Sequence, residues 1–421
     1  MNVRGSAGLE VAYLLPDPGI PVGGTKGASV HVESLCAALS RLGVDVTLYA
    51  ARVSGPMTSR GSDTVRVIPI DVGPVASGAK AEATRISAIE TFFDGVERHL
   101  TARKPSCIVE RLSLFAGRGA ELAKSLGVAR VVEVNAPVAE ERRRHFGLRF
   151  EEEACRAEHR ALSNARVVAV SAPLASWAIG MGASTASVVA NGADVDGLDP
   201  SRLSLLAPRT RRRLGFSMSQ PVIGFAGSFK PWHGLDVLID AVALIAGSVQ
   251  LGLLIVGDGP ERARVTDLLR RLPDGVTVAT TGAVAFSRVP EYVAAMDIAA
   301  APYVATDTFY FCPLKVVEAM AAGRAVVASD FPPIRQLVGE TGVLVSPGSS
   351  HSLAQALYAL VSDANARDIL GSSARARAVE RSSWSSVAEA LVAEIFAALD
   401  ASSEASASRG LRIGSRKGAG R

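Results

Sequence analysis

The sequence has few cysteines and no closely spaced cysteine pair. Its four cysteines are far apart, at Cys36, Cys107, Cys155 and Cys312. This spacing argues against a disulfide framework or a zinc ribbon and is what a reducing cytosol would lead us to expect. Residues 1–10 lack the apolar segment of a secretory signal, so the sequence predicts a cytoplasmic protein.

Long apolar runs are also missing. The most apolar stretch, residues 237–256, is interrupted by Asp240, Gly247 and Gln250, and its period indicates a helix followed by a buried strand rather than a membrane span. The sequence has no GxGxxG fingerprint, which disfavours a dehydrogenase. The six histidines are scattered along the chain, and no metal site or other cofactor is predicted.

The net charge of +4 belongs to one end of the chain. Residues 405–421 carry five basic residues and no acidic one, so the rest of the chain has one acidic residue more than it has basic ones. A nearly neutral body does not predict a nucleic-acid partner. The basic tail could touch an anionic membrane, but it has no apolar anchor and we expect it to be solvated.

What the sequence does contain is a regular alternation of strands and helices. Short runs of valine, isoleucine and alanine alternate with helical patterns such as 28–42 and 81–104. This alternation predicts an α/β protein with doubly wound parallel sheets. The strands are predicted at 10–15, 45–50, 65–70, 107–112, 129–135, 166–171, 186–190, 222–226, 251–257, 276–280, 298–301, 325–329 and 343–345.

A break in the alternation near residue 200 predicts two domains of similar size. Ligands of open parallel sheets bind beyond the carboxyl ends of the strands, so we expect the active site in a cleft between two facing sheets. The predicted parts are an N-terminal Rossmann-like domain (1–195), a linker (196–220), a C-terminal Rossmann-like domain (221–382), a crossover helix (383–400) and a basic, disordered tail (401–421).

Three glycine-rich or proline-containing segments follow predicted strands. The first, residues 21–31, and the second, residues 224–234, place glycines where a backbone could approach an anion. Ordinary surface loops also favour glycine, so neither is specific alone. In the third, residues 310–323, Pro313 is predicted at the first position of a helix, followed by Glu318 on an otherwise apolar face. Glu318 needs a polar partner there, which could be sugar hydroxyls or an internal ion pair.

Together these segments resemble the retaining nucleotide-sugar glycosyltransferases of the GT-B fold, in the group 1 family that includes sucrose synthase, glycogen synthase and bacterial mannosyl- and glucosyltransferases. The resemblance covers residues 10–395. The motifs that carry it are Gly23-Gly24, Glu133-Val-Asn-Ala-Pro137, Asn191-Gly-Ala-Asp194, residues 227–234, Val256-Gly-Asp-Gly-Pro260, Asp297 with Ala301-Pro-Tyr303, and residues 313–323.

The resemblance implies the roles of particular residues. Glu318 would bind the ribose, the amides of Leu314 and Lys315 would hold the diphosphate, and Lys230 would neutralise it. Lys230, Glu318 and Asn135 are the predicted catalytic residues. The predicted donor-binding residues are Gly23, Gly24, Ser228, His233, Val284, Pro313, Leu314, Lys315 and Glu318.

The sequence departs from the family at four of these positions. An acidic residue often lies eight positions before the ribose-binding glutamate, where this chain has Tyr310. The family often has an arginine at the position of Ser228 and a lysine at that of His233, and Lys230 is the predicted substitute. Asn135 replaces a frequent histidine near the transferred sugar and is a poor general base.

We therefore predict a retaining glycosyltransferase that needs no dedicated metal. Its donor would be a UDP-, GDP- or ADP-linked sugar and its acceptor a glycan, a lipid or a specialised small molecule. Two alternatives stay open. A sugar-nucleotide epimerase on the same fold would need acid and base side chains at the donor sugar, where Tyr310 and Asn135 lie instead. A non-catalytic sugar-nucleotide binding protein would bind the donor without turning it over.

Overall fold

The computed structural model describes residues 8–306 and 308–416. The chain divides into two compact units, one of residues 1–189 with 387–421 and one of residues 190–386. Each unit is built on a parallel sheet between helices. The confirmed fold class is thus α/β, with the doubly wound parallel sheets that the alternation of apolar runs predicts.

Unit 1 contains a seven-stranded parallel sheet in the order β3-β2-β1-β4-β5-β6-β7. Its strands are β1 (Glu10–Leu15), β2 (Asp45–Ala50), β3 (Arg66–Pro69), β4 (Cys107–Arg111), β5 (Ala129–Val134), β6 (Arg166–Ala169) and β7 (Thr185–Val188). Its helices are α1 (Gly27–Arg41), α2 (Ala81–Ala102), α3 (Gly119–Leu126), α4 (Val138–Phe146), α5 (Glu151–Leu162) and α6 (Ala172–Gly180).

Unit 2 contains a six-stranded parallel sheet in the order β10-β9-β8-β11-β12-β13. Its strands are β8 (Val222–Ala226), β9 (Leu251–Val256), β10 (Val276–Thr280), β11 (Ile298–Ala301), β12 (Ala325–Ser329) and β13 (Val343–Val345). Its helices are α7 (Pro200–Arg213), α8 (Leu235–Ile245), α9 (Arg262–Leu269), α10 (Val289–Ala295), α11 (Leu314–Ala321), α12 (Pro332–Val338), α13 (Ser350–Ser362) and α14 (Ala364–Arg381). A final helix, α15 (Trp384–Arg416), begins in unit 2 and continues into unit 1.

Both sheets are buried by apolar side chains. In unit 2 the strand residues Ile223, Phe225, Leu253 and Ile255 pack with the inner faces of α8 and α13. Strands covered on both faces are apolar at most positions, which explains the nearly continuous apolar runs in the sequence. In each sheet the chain order reverses beside the first strand, between β1 and β4 in unit 1 and between β8 and β11 in unit 2. Such switch points are where open parallel sheets bind ligands.

The structure differs from the predicted boundaries in two places. The predicted linker, 196–220, lies within unit 2 and contains α7, where Leu203 and Arg211 are buried. Arg211 is fixed there because its Nε donates to the Ala295 carbonyl at 3.1 Å and its guanidinium pairs with Asp297. The pattern of prolines and exposed arginines suggested a connection, whereas two buried residues anchor the segment.

The C-terminal prediction also needs correction. Helix α15 does not end at residue 400 but continues to Arg416, through part of the predicted disordered tail. Residues 397–408 are rich in alanine, the strongest helix former, and contain no proline or glycine. Residues 417–421 lie outside the described residues. No helix in the described parts of the chain is both long and apolar enough to span a membrane.

Candidate donor site

The candidate site of unit 2 lies at its switch point. The turn after β8 contains Gly227 and Ser228, and the segment after β11 leads through Tyr303 to the start of α11. A pocket opens there beside Lys315 and Glu318. Its other lining residues come from β8, β11, β12, α10 with the residue that follows it, and α11: Gly224, Ala226, Val293, Met296, Ala299, Ala300, Ala301, Val316, Ala319 and Val326.

Glu318 is a half-buried carboxylate in the first turns of α11. Within the described parts of the chain it makes no hydrogen bond and no ion pair, although it lies one turn from Lys315 on α11. Burial raises its pKa from 4.5 to about 7, and the positive charge of Lys315 opposes that rise only in part. A carboxylate that makes no hydrogen bond within the protein and has a raised pKa is available to accept hydrogen bonds from a ligand.

The start of α11 differs slightly from the prediction. Pro313 is the N-cap residue rather than the first helical residue, with extended backbone at ψ 115°. Its carbonyl accepts the first helical hydrogen bonds, from the amides of Val316 at 3.1 Å and Val317 at 3.4 Å. The amides of Leu314 and Lys315 precede these donors and belong to the orphan set that every helix start leaves for another acceptor.

Asn191 fixes the segment that leads into α11, a contact that the sequence analysis missed. Its side-chain Nδ2 donates to the Cys312 carbonyl at 2.6 Å, and its backbone amide contacts the Cys312 Sγ at 3.2 Å. Burial raises the pKa of the Cys312 thiol to about 11, so this cysteine is a packed group rather than a nucleophile. The signal was present in the Asn191-Gly-Ala-Asp194 motif, but the sequence did not indicate what the asparagine would contact.

The loop after β8 brings His233 into the site as a neutral imidazole. Burial and the positive charges of Lys315 and Lys230 lower its pKa to about 3, although a hydrogen bond to a carbonyl opposes that shift. Its Nδ1 lies 2.6 Å from the Ser228 carbonyl, so it donates there and leaves Nε2 as an acceptor. At Gly234, with φ +62°, a Cβ would lie 1.7 Å from the Pro302 carbonyl oxygen. Close backbone packing therefore explains this glycine.

The other predicted residues of unit 2 are placed as follows. Ser228 is exposed, and the Lys230 Nζ lies 5.6 Å from the centroid of the Trp232 ring. Val284 is half-buried and packs against the apolar cluster that includes Val256 and Tyr292. Tyr310, at the position where the family often has an acidic residue, is buried against Phe311, with 4.4 Å between ring centroids.

In unit 1, Gly23 and Gly24 form a tight loop before α1. The Gly23 amide donates to Glu33 Oε1 at 2.7 Å, and the Gly24 amide donates to the Pro21 carbonyl at 3.2 Å. Gly23 has φ +75°, and a Cβ there would lie 2.4 Å from the Gly55 carbonyl oxygen. Both amides are thus engaged within unit 1, and the predicted contact of these glycines with a donor stays a prediction.

Asn135 belongs to a buried network centred on Glu133. Its Nδ2 donates to Glu133 Oε1 at 2.6 Å, and Arg111 Nη1 donates to the same oxygen at 3.2 Å. The Tyr13 hydroxyl and the His31 imidazole also contact this carboxylate. Burial raises the pKa of Glu133, but His31, Arg111 and Tyr13 together lower it far below its usual range. The side-chain Oδ1 of Asn135 is left as an acceptor.

No cluster of three or more histidine, cysteine, aspartate or glutamate side chains suited to a metal ion occurs in residues 8–306 and 308–416. The chain does contain one Asp-x-Asp spacing, at Asp194 and Asp196. The Asp194 Oδ1 accepts a hydrogen bond from the Gly197 amide at 3.0 Å, which makes it part of a turn.

Two families match consecutive parts of the chain. Residues 26–192 match the family described as Glycosyl transferase 4-like domain, and residues 220–363 match Glycosyl transferases group 1. The D-inositol 3-phosphate glycosyltransferase of Corynebacterium glutamicum (strain R) is 29% identical over 90% of this chain and 92% of its own length. The alpha-maltose-1-phosphate synthase of Mycolicibacterium smegmatis is 26% identical over 86% of this chain and 93% of its own.

Solved structures show the same fold. A sucrose-phosphate synthase from Thermosynechococcus elongatus superposes with a TM-score of 0.73 at 21% identity, over 93% of this chain and all of that one. Anabaena Alr3699/HepE, solved in complex with UDP and glucose, gives 0.66 at 22% identity over 91% and 98% of the two chains. The predicted family and the GT-B fold are confirmed: the chain belongs to the group 1 glycosyltransferases, a retaining family of enzymes that use nucleotide sugars.

Proposed function

We propose that unit 2 binds the nucleotide-sugar donor at the start of α11 and that unit 1 supplies the acceptor side. The observation that carries this proposal is the Glu318 carboxylate, which is half-buried in a pocket and has no partner within the described parts of the chain. An unpaired buried carboxylate costs stability, and vicinal ribose hydroxyls are the donors that would offset the cost. Glu318 is therefore a donor-binding residue, and it contributes to catalysis only because it binds and positions the ribose.

The diphosphate is proposed to bind the amides of Leu314 and Lys315. Pro313 directs these two N–H groups out of the helix start, and Asn191 holds the preceding Cys312 in place. As the bond from the anomeric carbon to the diphosphate breaks, the sugar gains oxocarbenium character and negative charge develops on the leaving group. The α11 dipole and the two amides stabilise that charge. This supports transfer without a dedicated metal.

Neighbouring side chains complete the proposed donor site. Val284, which packs against the apolar cluster that includes Val256 and Tyr292, would lie beside the base. Ser228 and the neutral His233 would offer a hydroxyl and an imidazole acceptor to the donor. Lys230 retains its proposed role as a cation near the diphosphate. In unit 1, the free acceptor oxygen of Asn135 would contact the sugar.

Relatives suggest which donors and acceptors to try first. Anabaena Alr3699/HepE has been solved in complex with UDP-glucose, so UDP-glucose leads a donor set that also includes GDP- and ADP-linked sugars. Several similar enzymes are D-inositol 3-phosphate glycosyltransferases, so D-inositol 3-phosphate leads the acceptor set, followed by glycans and a phosphatidylinositol.

The proposed function is tested in two steps. Thermal unfolding with UDP, GDP and ADP sugars should show stabilisation by one donor series, since a ligand that binds the folded state raises its stability. Incubation of that donor with the acceptor set should then give a glycoside with the anomeric configuration of the donor, read by NMR. Binding followed by interconversion of sugars without an acceptor would indicate an epimerase. Binding without turnover on any acceptor would favour a non-catalytic binding protein.

A further inference from the structure

The donor site lacks cations at the two positions where the family often has them. Ser228 replaces an arginine and is exposed. His233 replaces a lysine and is neutral, since its pKa is lowered to about 3 and its Nδ1 donates to the Ser228 carbonyl. A nucleoside diphosphate nevertheless brings two or more negative charges to this loop, and helix amides supply only partial positive charge.

Lys315 brings a side-chain amine, cationic when protonated, to the same loop from α11. Its Nζ lies 3.0 Å from the position that a Cβ would take at Gly227, the first residue after β8. The ammonium also lies 4.1 Å from the centroid of the Phe225 ring and 5.3 Å from that of Tyr303. These aromatic faces hold the cation by cation–π attraction, and no carboxylate of the described residues lies within 4 Å of it.

We propose that the Lys315 ammonium is the main cation that binds the donor diphosphate, in place of the bases missing at Ser228 and His233. The inference rests on the proposed function of the α11 site and adds a side chain to its two backbone amides. Lys315 then contributes twice to the same ligand, through its N–H and through its ammonium. It would stabilise the leaving diphosphate as the glycosidic bond to phosphate breaks.

Lys230 fits this role less well. Its Nζ lies over the Trp232 ring, 5.6 Å from the centroid. At His233, inside the glycine-rich loop, the charge of Lys315 acts more strongly than that of Lys230. Lys315 also lines the pocket that contains Glu318, and Lys230 does not. Substitutions of the two lysines therefore make a matched pair, and we expect the substitution of Lys315 to weaken diphosphate binding more than that of Lys230.

The titratable groups that face Lys315 are Glu318 on its own helix, His233 on the loop after β8 and Tyr303 after β11. His233 is neutral, and burial raises the pKa of Tyr303 above its usual range. Burial lowers the pKa of Lys315 to about 7, because Glu318 compensates only in part. A bound diphosphate favours the ammonium. Binding at pH 8 should therefore take up a proton, and affinity should fall as pH rises from 7 to 9.

The first test compares ligands with and without phosphate. Titration calorimetry measures the affinity of UDP and of uridine, or of GDP and guanosine if the guanine series binds better, for wild type, Lys315→Met and Lys230→Met. We expect Lys315→Met to lose at least tenfold in diphosphate affinity with little change for the nucleoside, and Lys230→Met to lose less. Equal diphosphate affinities for wild type and Lys315→Met, or a larger loss in Lys230→Met, would overturn the inference.

The second test needs no variant and stands even if Lys315→Met does not fold. Titration of wild type with the diphosphate at pH 8, in two buffers of different ionisation enthalpy, measures protons taken up on binding. We expect a substantial fraction of a proton; zero uptake would contradict the role of Lys315. If wild type binds neither UDP, GDP nor ADP, the proposed function itself fails. Binding without proton uptake overturns the lysine inference alone.

Discussion

Two glutamates, one in each unit, have opposite surroundings: Glu133 is buried and fully engaged, whereas Glu318 is half-buried. Glu133 lies in β5 and is contacted by Tyr13, His31, Arg111 and Asn135. Glu318 lies on α11 and has no hydrogen bond or ion pair within the described residues. The pKa of Glu133 is lowered far below its usual range, whereas that of Glu318 is raised to about 7.

The difference separates a structural charge from a functional one. A buried carboxylate whose oxygens are all engaged stabilises the arrangement around it, and removing it leaves its partners unpaired. A carboxylate that the fold leaves unsatisfied lowers stability, and retaining it makes physical sense when a ligand supplies the partners. The same comparison assigns Arg111 to the network of unit 1 and Lys315, which makes no ion pair among the described residues, to the proposed ligand site.

The largest expected effect is at Glu133. Glu133→Ala leaves Arg111 buried without its counter-charge and removes the carboxylate that His31 contacts, and removal of one partner of a buried ion pair typically costs about 3–5 kcal/mol. Urea unfolding should show this loss in the free energy of unfolding. Glu133→Gln, which keeps the shape and part of the hydrogen bonding, serves as the milder control. A loss below about 1 kcal/mol for Glu133→Ala would remove the contrast between the two glutamates.

Glu318→Gln should behave in the reverse way. Loss of hydrogen bonds from ribose hydroxyls to a charged acceptor costs about 1.5–3 kcal/mol, so donor affinity should fall about tenfold or more, measured by titration calorimetry. The stability of the free protein should stay the same or rise, since an unpaired carboxylate is removed. Unchanged donor affinity together with reduced stability would show that Glu318 is a structural residue after all.

The pH dependence of stability sharpens the same comparison. The folded-state pKa of Glu318, about 7, exceeds its ordinary value of 4.5, so the folded protein holds this proton more tightly than the unfolded chain. Its contribution to stability is complete below pH 4.5 and is lost as pH rises through about 7. Glu318→Gln should therefore gain stability relative to wild type between pH 4.5 and 7, as measured by urea midpoints. A constant difference across this range would contradict the raised pKa.

For Glu133 the sign is opposite. Its folded-state pKa is depressed, so its contribution is complete above pH 4.5 and is lost as pH falls toward the folded value. Acid titration of wild type and Glu133→Gln should therefore show stabilities that converge as pH falls below 4.5. Curves that remain parallel down to the acid transition would argue against an ionised Glu133.

The smallest expected effect is at Asn191. Asn191→Ala removes the 2.6 Å hydrogen bond to the Cys312 carbonyl and loosens the start of α11 without touching the donor. A neutral hydrogen bond contributes about 1 kcal/mol, so donor affinity should fall a few-fold, less than in Glu318→Gln. Titration calorimetry checks this order, and a larger loss in Asn191→Ala than in Glu318→Gln would show that the loop rather than the carboxylate governs binding.

Regular structure could be predicted well because short, mostly apolar runs alternate with helical patterns along the chain. The strands at 10–15, 45–50, 222–226 and 276–280 have the predicted ends. The apolar pattern of the sequence does not predict the position of a segment that is fixed by a few specific contacts. The predicted linker is fixed by Arg211, which pairs with Asp297 some 86 positions later, and no local period signals such a pair.

The candidate site could be predicted only where a motif fixes the backbone. The helix start at Leu314 and the position of Glu318 follow from Pro313 and the apolar run behind it. The place of the Lys315 ammonium depends on Gly227 and on the rings of Phe225 in β8 and Tyr303 after β11, which the sequence does not show together. For the same reason the partners of Glu133, drawn from two strands, a helix and the segment after β5, could not be predicted.

One paired measurement tests the central claim most directly. Thermal unfolding of wild type and Glu318→Gln is followed with and without a saturating concentration of the donor that stabilises wild type most. The account predicts that the variant without ligand unfolds at or above the wild-type temperature and that the ligand-induced shift largely disappears. An equal ligand-induced shift in both proteins would contradict the assignment of Glu318, and with it the donor site at the start of α11.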